Sequence, residues 1–161
     1  MFVNTLDRED GVDVLDRGWL VDHGLVARGD DVDPEALLEL AKVREAVRDL
    51  LRANNGVRVD RERAAVTLDA VGARTPLVAR FAPDRAARLE PAGRGVEAAT
   101  ARILAAVAAL AGTETWSRLK ACRWESCAWA FTDDSRNRSR AWCSMAVCGN
   151  RAKARAYRSR H

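Results

Sequence analysis

All four cysteines of this 161-residue chain lie between positions 122 and 148, at Cys122, Cys127, Cys143 and Cys148. Their spacing is C-x4-C, fifteen intervening residues, then C-x4-C. Two short cysteine turns joined by a linker can face one another and offer four thiolates to one tetrahedral ion. A gap of four is at the long end of the usual ligand spacing. Two disulfides or four unrelated thiols are the competing readings. Four protein ligands leave no open coordination position, so the expected cofactor is a structural Zn2+ rather than a catalytic one. A segment this short is near the lower limit of independent folding. A structural zinc contributes on the order of 10 kcal/mol in finger-like peptides.

The charge divides at the same place. Residues 1–117 carry 16 Lys+Arg against 20 Asp+Glu, whereas residues 118–161 carry 11 against 3, so a mildly acidic body precedes a strongly basic tail. A basic patch suits phosphate or another acidic surface. Only three of the 27 cations are lysine, which points to a compositional bias towards arginine but does not explain why acids thin out after Lys120. The longest apolar run, Ile103 to Ala111, is nine residues, far short of the roughly twenty that span a bilayer. The opening MFVNTLDRED has neither the basic segment nor the apolar core of a signal peptide. The expectation is a cytoplasmic protein with no membrane partner, and reduced thiols there favour metal over disulfide.

Through the body the periodicity is mostly helical. Val12, Leu15 and Trp19 suggest a helix over 12–23, stopped by Gly24. Residues 34–53 carry the clearest helix: Asp33 caps it, Pro34 suits the first turn, Glu35 complements the dipole, and Asn54-Asn55-Gly56 ends it. Leu37, Leu40, Val43, Val47, Leu50 and Leu51 form its apolar stripe. A third helix is expected over 61–71 between Asp60 and Gly72. LVARFA and RAARLE, on either side of a Pro83-Asp84 turn, read as a short hairpin. Residues 96–111 return to helix, with Val96, Ile103, Val107 and Leu110 on one face and Gly112 as terminator. The organisation expected is a helical domain over 1–112, a linker over 113–117 and a finger over 118–161. The fold class is mainly α with a small β-hairpin, plus a small treble-clef-like zinc finger.

Within the finger, Leu119–Ala121 and Ala128–Thr132 read as strands, 133–138 as a turn, Ser139–Trp142 as a returning strand and Asn150–Arg158 as a helix. Lys120, Arg123 and Arg151 are placed to offset the charge of a thiolate-bound ion, and Gly149 lets the backbone approach the Cys148 sulfur. Trp124, Trp129, Phe131 and Trp142 are expected to form a miniature core, with Trp124 the ring best placed for exposure. The candidate nucleic-acid contacts are Arg136, Arg138 and Arg140 in the hairpin, and Arg151, Lys153, Arg155 and Arg158 on the last helix. Alternation would aim the first three to one side. Arg151, Arg155 and Arg158 recur at i, i+4 and i+7, where like charges repel unless an anion meets them. A solvated tail paired with the acidic body is the other reading. No Ser-His-Asp or Cys-His constellation and no phosphate-binding glycine loop can be assembled, and His23, alone beside an apolar face, is expected to be structural or exposed. Asp30, Asp31 and Asp33 read as a solvated loop and helix cap. An enzyme is not expected.

These residues carry a resemblance. RLKAC, the four cysteines, FTDDSRNRSRAWCSM and CGNRAKAR resemble the CGNR zinc finger family, whose motif stands here as Cys148-Gly149-Asn150-Arg151. FVNTLD followed by Leu15 and Trp19 resembles the ABATE domain that accompanies such fingers. The resemblance implies zinc ligation by Cys122, Cys127, Cys143 and Cys148, a role in stress-related transcriptional regulation, DNA binding through the finger, and a sensing body open to a small-molecule or protein effector. In similar proteins an apolar segment precedes the FVNTLD-like residues, so here either the start is short or the native start is upstream of Met1. The resulting expectation is a zinc-binding, DNA-binding regulator. The alternative is a zinc-stapled protein-interaction module without direct DNA contact.

Overall fold

Proline at 34, with Asp33 accepting the Glu35 amide at 3.0 Å, starts a 21-residue helix that the rest of the chain packs around. A computed structural model describes residues 1–83 and 85–160. The chain opens with a 3-10 turn (Phe2–Thr5) and a minimal antiparallel hairpin, β1 (Leu6–Asp7) and β2 (Val12–Asp13), in the register Leu6↔Asp13. Then come α1 (Arg17–Asp22), α2 (Pro34–Asn54) and α3 (Arg61–Gly72). They are followed by a hairpin of β3 (Leu77–Ala82) and β4 (Arg85–Pro91), and by α4 (Gly95–Ala111). A 3-10 turn over Glu114–Arg118 leads into β5 (Leu119–Ala121), which pairs antiparallel with β6 (Ala130–Thr132). A π turn (Met145–Gly149) runs directly into α5 (Asn150–Arg158).

The expected helices over 34–53, 61–71 and 96–111 form, and so does the 77–91 hairpin; its expected Pro83-Asp84 turn includes Asp84, outside the described residues. Two expectations need correction. Residues 12–23 are not one helix. Asp16 accepts the Trp19 amide at 2.7 Å and starts α1 at Arg17, while Val12 is exposed in β2. Asp13 explains the break: its carboxylate is held by Arg44 of α2, which keeps the preceding backbone extended. The second correction concerns 139–142, which form no strand. Their backbone groups bond mostly to side chains, with Arg140 N donating to Asp133 Oδ2 at 3.0 Å and the Ala141 carbonyl accepting from Asn55 Nδ2 at 2.8 Å as well as from the Arg123 amide at 3.2 Å. Groups satisfied in this way have no need of a ladder.

The stripe of α2 delivers Leu40, Val43, Val47 and Leu51 to the core, where they meet Leu20 of α1, Val71 of α3 and Val96, Ala99 and Ile103 of α4. Ala121 and Ala130, from the two strands nearest the cysteines, belong to the same apolar cluster. The body and the cysteine segment therefore share one core. Three polar side chains reinforce the join. Asn4 pairs with Ala130 as a strand would, donating to its carbonyl at 2.9 Å and accepting its amide at 2.7 Å. Asn55 donates to the Ala121 and Ala141 carbonyls, both at 2.8 Å, while its own carbonyl accepts from Arg123 Nε at 2.7 Å. Arg48, 1% exposed, reaches the Ala128 carbonyl with Nη1 at 3.0 Å and the Val3 carbonyl with Nη2 at 2.6 Å.

Arginine on the buried side of α2 departs from the apolar stripe. Arg44 and Arg48 share the carboxylate of Glu45, each donating through Nε at 3.0 Å, and Arg44 also holds Asp13 and the Thr5 hydroxyl. Burial pulls the Arg48 guanidinium below its ordinary pKa even though Glu45 opposes the shift. Its remaining protons go to carbonyls, which is how a cation is tolerated out of water with only one carboxylate at hand.

Candidate metal centre and basic face

Each cysteine pair is placed by backbone bends that the sequence makes locally. Cys122 directly follows β5, and the chain turns through Trp124 so that the Cys127 and Ala128 amides both donate to the Trp124 carbonyl at 3.0 Å. Ala128 closes this turn in the left-handed region, φ +45°, a conformation that is costly for alanine and persists where surroundings hold it. The Arg48 hydrogen bond to its carbonyl is one such restraint. The second pair is set by the π turn, whose cap Ser144 accepts from the Val147 amide. Cys148 leaves that turn at the entrance to α5.

The four Sγ atoms all lie within 4.8 Å of one another, with Cys127–Cys143 at 3.5 Å and Cys143–Cys148 at 3.7 Å. None is disulfide-bonded. A tetrahedral zinc with Zn–S bonds of about 2.3 Å needs its sulfurs about 3.8 Å apart, so this cluster fits the ion. Among the described residues it is the one such group of potential ligands. The electrostatics also fit. The Cys122 thiol is brought down to about 5, first by the hydrogen bond from Cys127 and then by the Cys143 and Trp124 amides. The other three are pushed up, Cys127 by its bond to Cys122, Cys143 and Cys148 first by burial, the last to about 12. Without a cation one thiolate is stabilised at the expense of three thiols. A divalent ion is what would let all four ionise together.

Around the cluster, Trp124 and Trp142 pack against the sulfurs and Phe131 is buried. The exposed ring is Trp129, 37% accessible, rather than Trp124, because the first turn folds Trp124 back over the cysteines. Lys120 is not directed at the sulfurs either. It is buried, donates to Asp133 Oδ2 at 2.6 Å and to the Arg138 carbonyl at 2.5 Å, and so holds the irregular 133–140 loop. Burial works against the Asp133 carboxylate. Lys120, the Ser135 hydroxyl and the Ser135 amide outweigh it and keep Asp133 well below the ordinary carboxylate range. The sequence shows a lysine at the start of a cysteine turn and an aspartate thirteen residues on, but no local pattern pairs them.

The motif at 148–151 divides its labour. Cys148 belongs to the sulfur cluster. Gly149 leaves room for its neighbours, since a Cβ there would lie 2.9 Å from the flexible, exposed Met145 thioether and 3.3 Å from the Trp142 ring. Asn150 Nδ2 donates to the Ala146 carbonyl of the π turn at 3.0 Å. Arg151 forms an ion pair with Glu9, 142 residues away on the β1–β2 turn.

The candidate basic residues separate into groups. Arg140 is half-buried, stacked at 4.8 Å on Phe131, and donates to the Trp142 and Cys143 carbonyls, so it is part of the scaffold. Arg138 takes a left-handed backbone, φ +50°, and bonds Ser117 Oγ at 3.1 Å. With no strand at 139–142, alternation does not align these two with Arg136. Arg136, Lys153, Arg155 and Arg158 are exposed and, among the described residues, have no side-chain partner. His23 stacks on Trp19 at 4.0 Å and bonds its carbonyl, a structural role; Asp30 and Asp33 bond loop and cap amides.

No described helix is long and apolar enough to cross a membrane. The ABATE profile, whose description is "Putative stress-induced transcription regulator", matches residues 1–114. A CGNR zinc finger profile matches residues 118–161. No curated protein matches the chain.

Proposed function

From the premise that this chain belongs to the ABATE family and ends in a CGNR zinc finger, we propose that it is a transcription regulator that grips duplex DNA with its zinc-stapled C-terminus. In this reading Cys122, Cys127, Cys143 and Cys148 bind a structural Zn2+. The ion holds the first cysteine turn and the start of α5 in fixed relation. Arg151, Lys153, Arg155 and Arg158 then meet phosphates from α5, Arg136 and Arg138 add contacts from the loop, and Arg140 braces that loop from behind. The helical body acts as the regulatory part that responds to an effector. Residues 1–112 and 118–161 serve as the two functional parts, joined by 113–117.

The observation that carries this reading is α5. It is exposed from Lys153 to its end, and no carboxylate side chain follows Asp134 in the chain. Arg155 and Arg158 follow Arg151 at i+4 and i+7, and only Arg151 meets a carboxylate, that of Glu9; like charges left unpaired at such spacing cost helix stability. Phosphate is the anion that dominates nucleic-acid affinity, and a helix of this width enters a major groove. A second reading, a protein-interaction module, is favoured by Trp129, Met145 and Val147, which are exposed beside the cysteine cluster.

The test is a mobility-shift series on random-sequence duplex DNA at rising salt, with zinc-loaded and chelated protein. The expected result is binding that requires the metal, weakens steeply with salt and is lost on replacing Arg151, Arg155 and Arg158 with alanine. Unchanged affinity in the triple variant would rule out α5 as the contact. Absence of salt-dependent binding by the zinc-loaded chain would favour the protein-interaction reading.

A further inference from the structure

The body's acidic character is brought to one point on the basic face. Asp7, Glu9 and Asp10 lie on the β1–β2 hairpin, a turn ordered by the Glu9 and Asp10 amides donating to Asp7 Oδ1 at 2.9 and 3.3 Å. The base of that hairpin is firmly mounted. Asp13 of β2 is held by both terminal nitrogens of buried Arg44, and the Leu6 carbonyl of β1 accepts from Arg48 at 3.2 Å. From this mount Glu9 pairs with Arg151 in the first turn of α5. Asp7 and Glu9 also line, together with Cys127, Trp129, Cys143, Val147 and Cys148, one open cleft of about 370 Å3. The hairpin thus leans over the cysteine face and offers its carboxylate to the first arginine of the basic stripe.

We propose that the β1–β2 turn is an intramolecular competitor for DNA phosphate, an autoinhibitory latch in which the Glu9 carboxylate occupies Arg151. The inference rests on the DNA-binding reading of α5. A carboxylate is the group within the chain that most resembles a phosphate oxygen pair to a guanidinium, and here it is delivered by a rigid mount rather than by a loose tail. Arg151 and Glu9 are both partly exposed, 42% and 36%. The pair is therefore weak and readily exchanged, as a latch must be if a polyanion is to open it. Binding would exchange one internal contact for one phosphate contact at Arg151, with the remaining α5 cations engaged throughout. Because Leu6 and Asp13 are tied to Arg48 and Arg44, a shift of α2 would move the latch. The body then has a mechanical route to the basic face.

The test is fluorescence anisotropy of the full zinc-loaded chain on random-sequence duplex DNA over a salt series. The proteins are wild type, Glu9→Gln, Arg151→Ala, the double variant, and Glu62→Gln as a control that makes the same charge change on α3. The expected result is that Glu9→Gln tightens binding about two- to fivefold at low salt, a gap that narrows as added salt screens the Glu9–Arg151 pair in the wild type. Glu62→Gln should do clearly less, and Glu9→Gln should have no effect once Arg151 is alanine. An effect equal to that of Glu62→Gln, or one that persists without Arg151, overturns the latch while leaving DNA binding intact. No binding by any of the five proteins overturns the DNA-binding reading, and the latch with it.

Discussion

Arg48 Nη1 donates to the Ala128 carbonyl at 3.0 Å across 80 residues of chain. The central helix of the body therefore holds the backbone directly after Cys127, at the point where the first cysteine turn closes in a left-handed conformation. The same guanidinium holds the Val3 and Leu6 carbonyls, so one buried side chain ties the N-terminal hairpin, α2 and the metal centre together.

Removing that cation should be costly. Arg48→Ala leaves buried carbonyls unpaired and Glu45 with one fewer partner, and truncating one member of a buried ionic network destabilises by about 3–5 kcal/mol. Urea unfolding of the zinc-loaded chain measures the loss. Zinc retention against a chelator should fall in parallel, since the carbonyl that steadies the Cys127 turn is released. A variant that unfolds earlier but keeps its zinc as tightly as wild type would separate the two roles.

Asn55 makes a narrower prediction. Its amide satisfies the Ala121 and Ala141 carbonyls, one before each cysteine pair, from a position 3% exposed. Asn55→Ala removes the side-chain donor from the Ala121 carbonyl and leaves the Ala141 carbonyl with the Arg123 amide at 3.2 Å, and a buried unpaired polar group costs about 1–3 kcal/mol. Asn55→Asp should be no better than alanine, because a carboxylate cannot donate. The midpoints of denaturant unfolding for the two variants decide the matter.

Metal removal should be felt in the body. Chelation withdraws an interaction on the order of 10 kcal/mol from finger-like folds, and here Ala121 and Ala130 belong to the core that contains Leu40 and Val43. Amide exchange should therefore accelerate in α2 near Val47 and Leu51 as well as in β5 and β6. Exchange that changes only beyond residue 118 would mean that the two parts unfold independently.

Acid dependence should centre on Asp133. Its folded pKa is depressed by Lys120 and Ser135 despite burial. Its contribution is thus fully present above the unfolded value of about 3.9 and is lost as pH falls through the lower folded value. Asp133→Asn should lower the melting temperature at neutral pH, and the gap from wild type should close in acid, below about pH 4. Both proteins carry the same cysteines, so the difference between them removes the acid sensitivity of the metal site.

Much of the fold could be read along the chain because its signals are local. Asp33 with Pro34, Asp60 and Gly56 mark helix ends by satisfying or releasing backbone groups within a few residues, and the α2 stripe names its own buried face. The readings that failed turned on contacts that no local period displays. Val12 and Leu15 have helical spacing, but Asp13 is claimed by Arg44, 31 residues away. Residues 139–142 read as a returning strand, yet the Asp133 and Asn55 side chains take up Arg140 N and the Ala141 carbonyl. Trp124 looks the more exposed ring until the turn folds it onto the sulfurs.

The division is sharpest at the cysteine segment. Four thiols at C-x4-C spacing, the choice of zinc and the basic stripe of α5 follow from composition and from periods of a few residues, which any reader of the chain can measure. Only the folded molecule shows which cations are free. Arg140 and Lys120 are spent on holding the 133–143 loop, Arg48 on steadying the metal turn, and Arg151 on Glu9, while Arg155 and Arg158 remain open to solvent. Charge is a property of the residue, but whether a charge is available depends on what the rest of the chain places beside it.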